Sequence, residues 1–194
     1  MVKLGREFFQ QEDVVQVSKD LLGKYLITNI QNIKTQGLII ETEAYAGVKD
    51  KASHAYNGRR TARTETMYQE GGIAYIYLCY GLHHLLNVVT NVKNVPHAVL
   101  IRSIQPVHGI DEIRKRRNLN RSNTKLKDLC PGPGTVSQGL GLTIENDGES
   151  FLGNKIWIEE SGITISEKDI VSGSRIGVAY AEEDALLPYR FRLI

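Results

Sequence analysis

The sequence predicts an α+β fold: one domain with a curved, mostly antiparallel, open barrel-like β-sheet, flanking helices and a protruding β-hairpin. Its 194 residues match the usual size of a single domain, here residues 1–194. Hydrophobic residues make up 41% and charged residues 24%, near the globular average, which excludes a disordered tail or a coiled coil. Helical and strand patterns mix without a βαβ rhythm, which favours an antiparallel sheet.

A helix is predicted first, over residues 11–22. Val14, Val17 and Leu21 recur at helical spacing and would form its buried face. Gly23 follows at the position where a C-cap glycine ends a helix.

Two strands and a long loop are predicted next. Apolar and β-branched residues favour strands over residues 25–30 and 37–43. Small and polar residues over 44–60, with an Asn57-Gly58 turn signal, indicate a loop of a length that is usually functional or disordered. A short helix is predicted over residues 61–68.

A β-hairpin and a buried strand occupy the middle of the chain. Residues 73–80 and 85–91 predict the two arms of the hairpin, with Gly81 in the turn. Residues 98–104 are mostly apolar and predict a buried strand.

The last part of the chain predicts short elements. Residues 110–117 indicate a basic helix, 118–127 a polar, basic connection, and 131–134 a Pro-Gly-Pro-Gly turn before a helix at 135–140. Short strands and turns complete the chain through Trp157, residues 163–165, residues 176–178 and residues 191–194.

Positive charge is concentrated in the middle of the chain. The net charge is only +2, but residues 49–144 contain 14 basic and 6 acidic residues, a net charge of +8. This favours a basic face that binds a polyanion, the alternative being charges that scatter in space and cancel. No apolar run reaches the ~18 residues that span a bilayer. Because two cysteines are too few for a disulfide framework, we expect a soluble cytoplasmic protein with reduced thiols and no membrane partner.

Neither a metal site nor a bound cofactor is predicted. The adjacent His83 and His84 lack the i, i+4 spacing of a helical metal pair, and no cysteine cluster indicates zinc. The sequence also lacks a Gly-rich phosphate loop between a strand and a helix, and the Gly-Xaa-Ser-Xaa-Gly hydrolase motif.

Two carboxylates end the second predicted strand. Strand alternation places Glu41 and Glu43 on one face, beside the long loop. A carboxylate held near water can act as a general base, and a second one can tune it. The alternative is an ordinary strand end whose acids are solvated.

The hairpin and the loop add aromatic and basic residues. Tyr75 and Tyr77 share a strand face, and Tyr80 lies on the other face if the strand runs that far. Such rings are usually core, but beside a basic region they also stack on nucleobases or wedge between base steps. Arg59 and Arg63, near the end of the loop, are placed to neutralise phosphates, unless they belong to a solvated face.

The order and spacing of these residues resemble the alkyladenine (3-methyladenine) DNA glycosylase family, in particular its bacterial members. The resemblance extends from about residue 4 to the end of the chain. The matching residues are Glu41-Thr42-Glu43-Ala44-Tyr45, His54, Arg59, Arg63, Met67, Tyr75-Ile76-Tyr77, Tyr80-Gly81, Asn87-Val88-Val89, Leu100-Ile101-Arg102, Gly132-Pro133-Gly134, Arg175-Ile176-Gly177 and Arg190-Phe191.

The resemblance implies a base-excision-repair enzyme that binds double-stranded DNA, flips out a damaged purine and hydrolyses its N-glycosidic bond to leave an abasic site. The implied substrates are 3-methyladenine, 7-methylguanine, hypoxanthine and ethenoadenine. It also implies a monomer that is associated with the bacterial nucleoid and needs no cofactor or metal. Neither Lys49 nor Lys51 matches a Schiff-base nucleophile, so a monofunctional enzyme without lyase activity is expected.

The resemblance also implies a role for each site residue. Glu43 would deprotonate the attacking water, and Arg102 would help to hold that water and a nearby phosphate. Tyr45 and Tyr77 would wall the base pocket, because ring faces favour cationic bases. The other implied roles are base-edge contact for the backbone of Ala52 and His54, exclusion of guanine for Asn87, intercalation into the minor groove for Tyr80, and DNA-backbone binding for Arg59 and Arg63.

Two other classes of protein remain open. One is a catalytically silent nucleic-acid-binding domain of the same fold, resembling the RNA-binding C-terminal domain of formyltransferases. The other is an interaction module whose tyrosines are all core. Glu43 argues against the silent binder, because an acid facing its pocket would repel phosphate. Tyrosines on both faces of one hairpin argue against the interaction module.

Overall fold

The protein folds around one antiparallel sheet, seen in a computed structural model that describes residues 2–119 and 124–194. The strands are β1 (Tyr25–Ile30), β2 (Ile33–Tyr45), β3 (Ala74–Cys79), β4 (His83–Thr90), β5 (His97–His108), β6 (Ile156–Glu159), β7 (Ile170–Gly173) and β8 (Arg190–Leu193). They form an eight-stranded sheet in the order β3-β4-β5-β2-β1-β6, with β8 joining β2 to β7. The predicted α+β fold with a curved antiparallel sheet and a hairpin is confirmed.

The long strand β2 joins the two halves of the sheet. Its first half pairs with β1 and its second half with β8, while β5 follows it along the opposite edge. A strand of 13 residues that changes partners in this way must bend, and the sheet curves with it. Glu43 lies in the second half, between β5 and β8.

In the part of the chain that the structure describes, four α-helices pack around the sheet: α1 (Arg6–Phe9), α2 (Val14–Asp20), α3 (Ile110–Arg116) and α4 (Pro133–Leu140). The helix predicted over residues 11–22 is α2, and it begins later because Asp13 caps it. The Asp13 carboxylate accepts hydrogen bonds from the backbone N–H groups of Val15 and Gln16, at 2.9 and 3.1 Å. The four-residue helix α1 is too short for a periodic pattern and was not predicted.

The helices α3 and α4 confirm the predictions for the later part of the chain. Helix α3 follows Gly109, whose φ is 69°. Helix α4 begins at Pro133, two residues before the predicted start, because proline is favoured in a first helical turn. Residues 120–123 of the predicted polar connection lie outside the described residues.

The core lies between the sheet and these helices. A second, smaller cluster lies under the loop that follows β2 and contains Ala55, Met67, Tyr68, Tyr75, Val89 and Ala98. The loop itself contains two short 3-10 turns, Gly47–Lys49 and Tyr56–Gly58. The predicted Asn57-Gly58 turn is confirmed by φ values of 55° and 71°. Buried residues thus fix one side of this loop against the hairpin.

Two short predicted strands are wrong, and a third prediction needs correction. Residues 163–165 and 176–178 are irregular, and β7 instead provides the partner of β8. Their β-branched residues give a strand signal, but Ile163 and Ile176 are 50% and 51% exposed. The helix predicted over residues 61–68 reduces to a 3-10 turn, Glu65–Tyr68.

None of the helices within residues 2–119 and 124–194 is long and apolar enough to cross a membrane.

Candidate active site

A cavity of about 630 Å³ opens between the β3–β4 hairpin, the loop after β2 and the start of α4. Its size and mostly aromatic and apolar walls suit a small flat ligand. The structure brings most of the predicted site residues together here. Those that line it are Tyr45, Ala52, His54, Arg63, Tyr77, Tyr80, Asn87 and Arg102.

Glu43 lies directly behind this lining and is fully buried. One carboxylate oxygen accepts the backbone N–H of Ile176 at 2.8 Å. The other accepts the hydroxyl of Tyr45 at 2.9 Å and lies 3.2 Å from Nη1 of Arg102. All three partners belong to the cavity lining, so the carboxylate is held at the cavity wall in one orientation.

Arg102 lies where the pairing of β2 with β5 is irregular. The register pairs Glu41 with Ser103 and Thr42 with Ile101, so the ladder skips Arg102. The sequence does not predict this irregularity, because it depends on the register between two distant strands.

The guanidinium of Arg102 bridges the two predicted carboxylates. Its Nε lies 3.5 Å from Glu41, which in turn lies 3.5 Å from Nη1 of Arg190. Glu41 is therefore part of a row of ion pairs that runs from Arg190 to Glu43. In this row the negative charges of two carboxylates are balanced by the positive charges of two arginines.

Burial raises the pKa of Glu43 above its usual value. The positive charge of Arg102 and the hydrogen bonds from Ile176, Tyr45 and Arg102 oppose this rise. Burial and the adjacent Glu43 raise the pKa of Tyr45 well above its usual value, so its hydroxyl stays protonated and donates to Glu43. A carboxylate with a raised pKa is a stronger base than an exposed one.

Three rings form one wall of the cavity. The His54 and Tyr77 rings meet edge to face, with centroids 4.6 Å apart. Tyr75 lies 5.5 Å from Tyr77, and its hydroxyl is 2.9 Å from Nδ1 of His54. Tyr75 was not predicted as a site residue, although its parity with Tyr77 along β3 was a usable signal. Tyr45 stands in the same lining.

Burial, with the positive charges of Arg63 and Arg59, lowers the pKa of His54 to about 4. The unfolded chain binds a proton at this histidine near pH 6.5, whereas the folded chain does so only near pH 4. The free energy of unfolding should therefore fall as the pH decreases from 6.5 to 4, by up to about 3 kcal/mol from this group. Denaturant unfolding at several pH values should give a shallower decrease for His54→Gln. Equal slopes in the two proteins would contradict this assignment.

The two loop arginines take different positions. Arg63 lines the cavity, with its guanidinium 5.0 Å from the centroid of the Tyr77 ring. Arg59 is exposed on the loop outside the lining, and its backbone carbonyl accepts the Tyr68 hydroxyl. Their binding to DNA phosphates stays a prediction.

Asn87 and Ala52 are fixed by hydrogen bonds at the cavity wall. The side-chain amide of Asn87 donates to the carbonyl of Tyr75 at 3.1 Å. The hydroxyl of Tyr180 donates to the carbonyl of Ala52 at 3.0 Å. Tyr180, which the sequence reasoning missed, therefore ties the C-terminal segment to the edge of the cavity.

Tyr80 stands at the tip of the hairpin and is 88% exposed. Strand β3 ends at Cys79, so the alternation of side chains between the two strand faces does not extend to Tyr80. Tyr80 instead has a φ of 51° and Gly81 one of 70°, and the N–H of Leu82 donates to the carbonyl of Cys79. The Tyr80 side chain is therefore exposed at the turn that follows the last residue of β3.

A buried ion pair holds the loop after β2 in place. The guanidinium of Arg175 contacts both carboxylate oxygens of Asp50, at 2.5 and 2.8 Å. Asp50 also accepts the backbone N–H groups of Ala46 and Ala52. Because Arg175 lies 4.9 Å from the Tyr45 ring centroid, the pair supports both the loop and one aromatic wall.

Within the described residues no group of three His, Cys, Asp or Glu side chains is arranged to hold a metal ion. The free thiols are those of Cys79, which is half-buried, and Cys130, which is buried.

The site thus combines a buried carboxylate, a cavity with aromatic walls and an exposed hairpin tip. Comparison with known proteins identifies the class: the family model described as Methylpurine-DNA glycosylase (MPG) matches residues 7–194. The chain belongs to this family and is a DNA N-glycosylase.

Several relatives carry the name "Putative 3-methyladenine DNA glycosylase". The one from Chlamydia felis (strain Fe/C-56) is 48% identical, over 98% of this chain and 95% of the relative. One from Clostridium perfringens (strain 13 / Type A) is 42% identical, over 98% and 95%. One from Bacillus cytotoxicus is 42% identical, over 94% and 92%. The similarity therefore extends over nearly the whole of each protein.

Proposed function

We propose that the protein flips alkylated or deaminated purines out of duplex DNA and hydrolyses their N-glycosidic bond, leaving an abasic site. The observation that carries this proposal is the buried Glu43 carboxylate, held behind a cavity with aromatic walls. A purine inside a base stack is out of reach of such a carboxylate, so the base has to enter the cavity.

Glu43 is the general base in this proposal. A carboxylate can accept about four hydrogen bonds, and Ile176, Tyr45 and Arg102 supply three. The fourth position can hold the attacking water. The water oxygen bonds to C1′ of the sugar and gives its proton to Glu43, while the bond from C1′ to the purine nitrogen breaks and its electron pair leaves with the base. Arg102 keeps Glu43 oriented and helps to hold the water.

The walls of the cavity select the base. The faces of Tyr45 and Tyr77 attract positive charge, which favours cationic bases such as 3-methyladenine and 7-methylguanine. Backbone groups of Ala52 and His54 contact the edge of the flipped base. The amide of Asn87, fixed on the Tyr75 carbonyl, excludes the exocyclic amine of guanine. Hypoxanthine and ethenoadenine are the neutral substrates that we propose.

We also propose that the enzyme lacks lyase activity. A lyase needs an amine that attacks C1′, and the cavity lining within the described residues contains no lysine. Nζ of Lys51 is instead paired with Glu182 and Glu183, at 2.5 and 2.8 Å.

The test is single-turnover excision of 3-methyladenine and of hypoxanthine from duplex DNA. Both bases should be released, and the strand should break only after treatment with alkali. Breakage without alkali would contradict the absence of lyase activity. Binding of DNA without release of either base would favour a silent nucleic-acid-binding domain.

Tyr80→Ala should slow base release more than it weakens binding to undamaged DNA. The exposed ring is placed to fill the gap left by the flipped base, and stacking of one aromatic ring on a base contributes ~1–3 kcal/mol. We expect release to slow about tenfold or more, while affinity for undamaged duplex changes by less than about twofold. Fluorescence of a 2-aminopurine placed beside the lesion reports flipping directly.

Two further variants complete this comparison. Tyr80→Phe keeps the ring and should behave as the wild type, while Leu186→Ala removes another side chain that is 77% exposed and should change neither quantity. If Tyr80→Ala loses base release and affinity for undamaged DNA to the same extent, Tyr80 does not act as an intercalating wedge.

A further inference from the structure

The guanidinium of Arg102 is shared by two carboxylates. Its Nη1 lies 3.2 Å from Oε2 of Glu43, and its Nε lies 3.5 Å from Oε1 of Glu41. This Nε is buried and has no hydrogen-bond partner within the described residues, so it is held towards Glu41 by charge alone. Because the side chains of Glu43 and Glu41 are 0% and 12% exposed, water screens these interactions weakly.

Arg190 is a second partner of Glu41. Its Nη1 lies 3.5 Å from Oε1 of Glu41, the same oxygen that faces Nε of Arg102. Arg190 lies directly opposite Glu43 in the pairing of β2 with β8, so the two side chains share one face of the sheet. The charge of Arg190 neutralises part of the charge of Glu41, which leaves more of the charge of Arg102 to act on Glu43.

The other ionisable groups on this side of the cavity are constant in charge. Burial raises the pKa values of the Tyr45 and Tyr77 hydroxyls, so both stay neutral. Arg175, beside the Tyr45 ring, is paired with Asp50. Arg102 is the largest of the influences that lower the pKa of Glu43, so the way its charge is shared affects the strength of this carboxylate as a base.

We propose that Glu41 and Arg190 are positioning residues for the hydrolytic step, because together they determine how much of the charge of Arg102 acts on Glu43. This inference rests on the proposed role of Glu43 as the general base. Glu41 draws positive charge away from Glu43 and keeps it a strong base. Arg190 limits the effect of Glu41, so that Glu43 stays ionised and can accept a proton from water.

The test is the pH dependence of the release of 3-methyladenine from duplex DNA, in single turnover with saturating enzyme. This base is cationic and leaves without gaining a proton, so the decline of the rate at low pH reports protonation of the general base. Below a midpoint pH, the rate should fall about tenfold per pH unit. Saturation removes differences in DNA affinity from the comparison.

The two substitutions should move this midpoint in opposite directions. In Glu41→Gln, Arg102 keeps Glu43 as its remaining carboxylate partner, so the midpoint should fall by about 0.5–1 pH unit. Loss of direct repulsion between the two carboxylates acts in the same direction. In Arg190→Gln, Glu41 keeps Arg102 alone, so the midpoint should rise by about 0.5–1 pH unit.

Three further variants separate this effect from other causes. Arg190→Lys keeps the charge and should keep the midpoint of the wild type. In the double variant of Glu41→Gln and Arg190→Gln, the midpoint should lie within about 0.2 pH unit of that of Glu41→Gln, because Arg190 acts through Glu41. Arg192→Gln is the matched control: Arg192 lies opposite Glu41 on β8 but is exposed, so water screens its charge and the midpoint should not change.

A purely structural role would lower the rate by the same factor at every pH and leave the midpoint in place. Unmoved midpoints, shifts in the same direction in Glu41→Gln and Arg190→Gln, or an equal shift in Arg192→Gln would overturn the inference. An effect of Arg190→Gln that persists without Glu41 would overturn it as well, and so would a wild-type rate that stays constant down to about pH 4. In each of these results the wild type still releases the base, so the proposed function stands. If the wild type releases no base, the proposed function fails, and the inference fails with it.

Discussion

Glu43→Gln should lose base excision almost completely while still binding DNA that contains a damaged base. Glutamine has one accepting oxygen, so it can keep the N–H of Ile176 or the hydroxyl of Tyr45, which bind different oxygens of Glu43, and it cannot take a proton from water. General-base catalysis contributes about 10²–10⁴-fold, so single-turnover release should slow by roughly 10³-fold for both cationic and neutral bases. The measurement is release of 3-methyladenine and hypoxanthine, with binding measured on the same duplexes.

DNA binding by Glu43→Gln shows that its loss of base excision is not caused by unfolding. Glu43→Gln leaves the guanidinium of Arg102 with Glu41 as its remaining carboxylate partner, so the melting temperature should fall by less than in a variant whose buried arginine loses its carboxylate partner. The variant should still bind damaged DNA, because the substitution removes a negative charge that repels the DNA phosphates. Glu160→Gln is the matched control, since it removes a carboxylate that pairs with Lys24 at the surface. Substantial turnover by Glu43→Gln would rule out Glu43 as the base.

Much of the fold follows from local patterns in the sequence. The hairpin, the long loop with its Asn57-Gly58 turn, and helix α3 lie close to their predicted positions, because each depends on residues that are neighbours along the chain. Strands β2 and β5 extend beyond the predicted ranges, since strand ends are set by partners and not by local propensity. The short strand β7, which contains no fully buried residue, is defined by its pairing with β8.

In the site too, the sequence predicts which residues come together but not the contacts between positions far apart in the chain. Tyr45, Tyr77, His54, Asn87 and Arg102 are grouped in the cavity as the family resemblance implies. Their finer geometry depends on contacts that local patterns do not encode.

Two such contacts shape the site. The contact between Arg102 and Glu43 depends on the register of β2 against β5. Arg175 and Asp50 are 125 positions apart in the sequence, and each alone looks like an ordinary surface residue. Residue type could not reveal either arrangement, because each is a property of the folded chain.

Asp50→Asn should destabilise the protein more than any other single substitution considered for the loop. It leaves the guanidinium of Arg175 buried without its counter-charge, and removing one partner of a buried ion pair costs ~3–5 kcal/mol. For a protein of this length such a loss lowers the melting temperature by about 10 °C. Calorimetry or thermal circular dichroism would measure the change.

An exposed ion pair of the same kind serves as the control for the effect of burial. Arg60 also contacts both carboxylate oxygens of its partner Glu65, at 2.6 and 2.8 Å, but both side chains are exposed. Glu65→Gln should therefore leave the melting temperature almost unchanged, because water screens that pair. Base release should also slow in Asp50→Asn even at temperatures where it is folded, since Arg175 packs against Tyr45, the hydrogen-bond donor to Glu43. Equal small effects in Asp50→Asn and Glu65→Gln would show that the loop is held by its other contacts and that the aromatic wall does not depend on the buried pair.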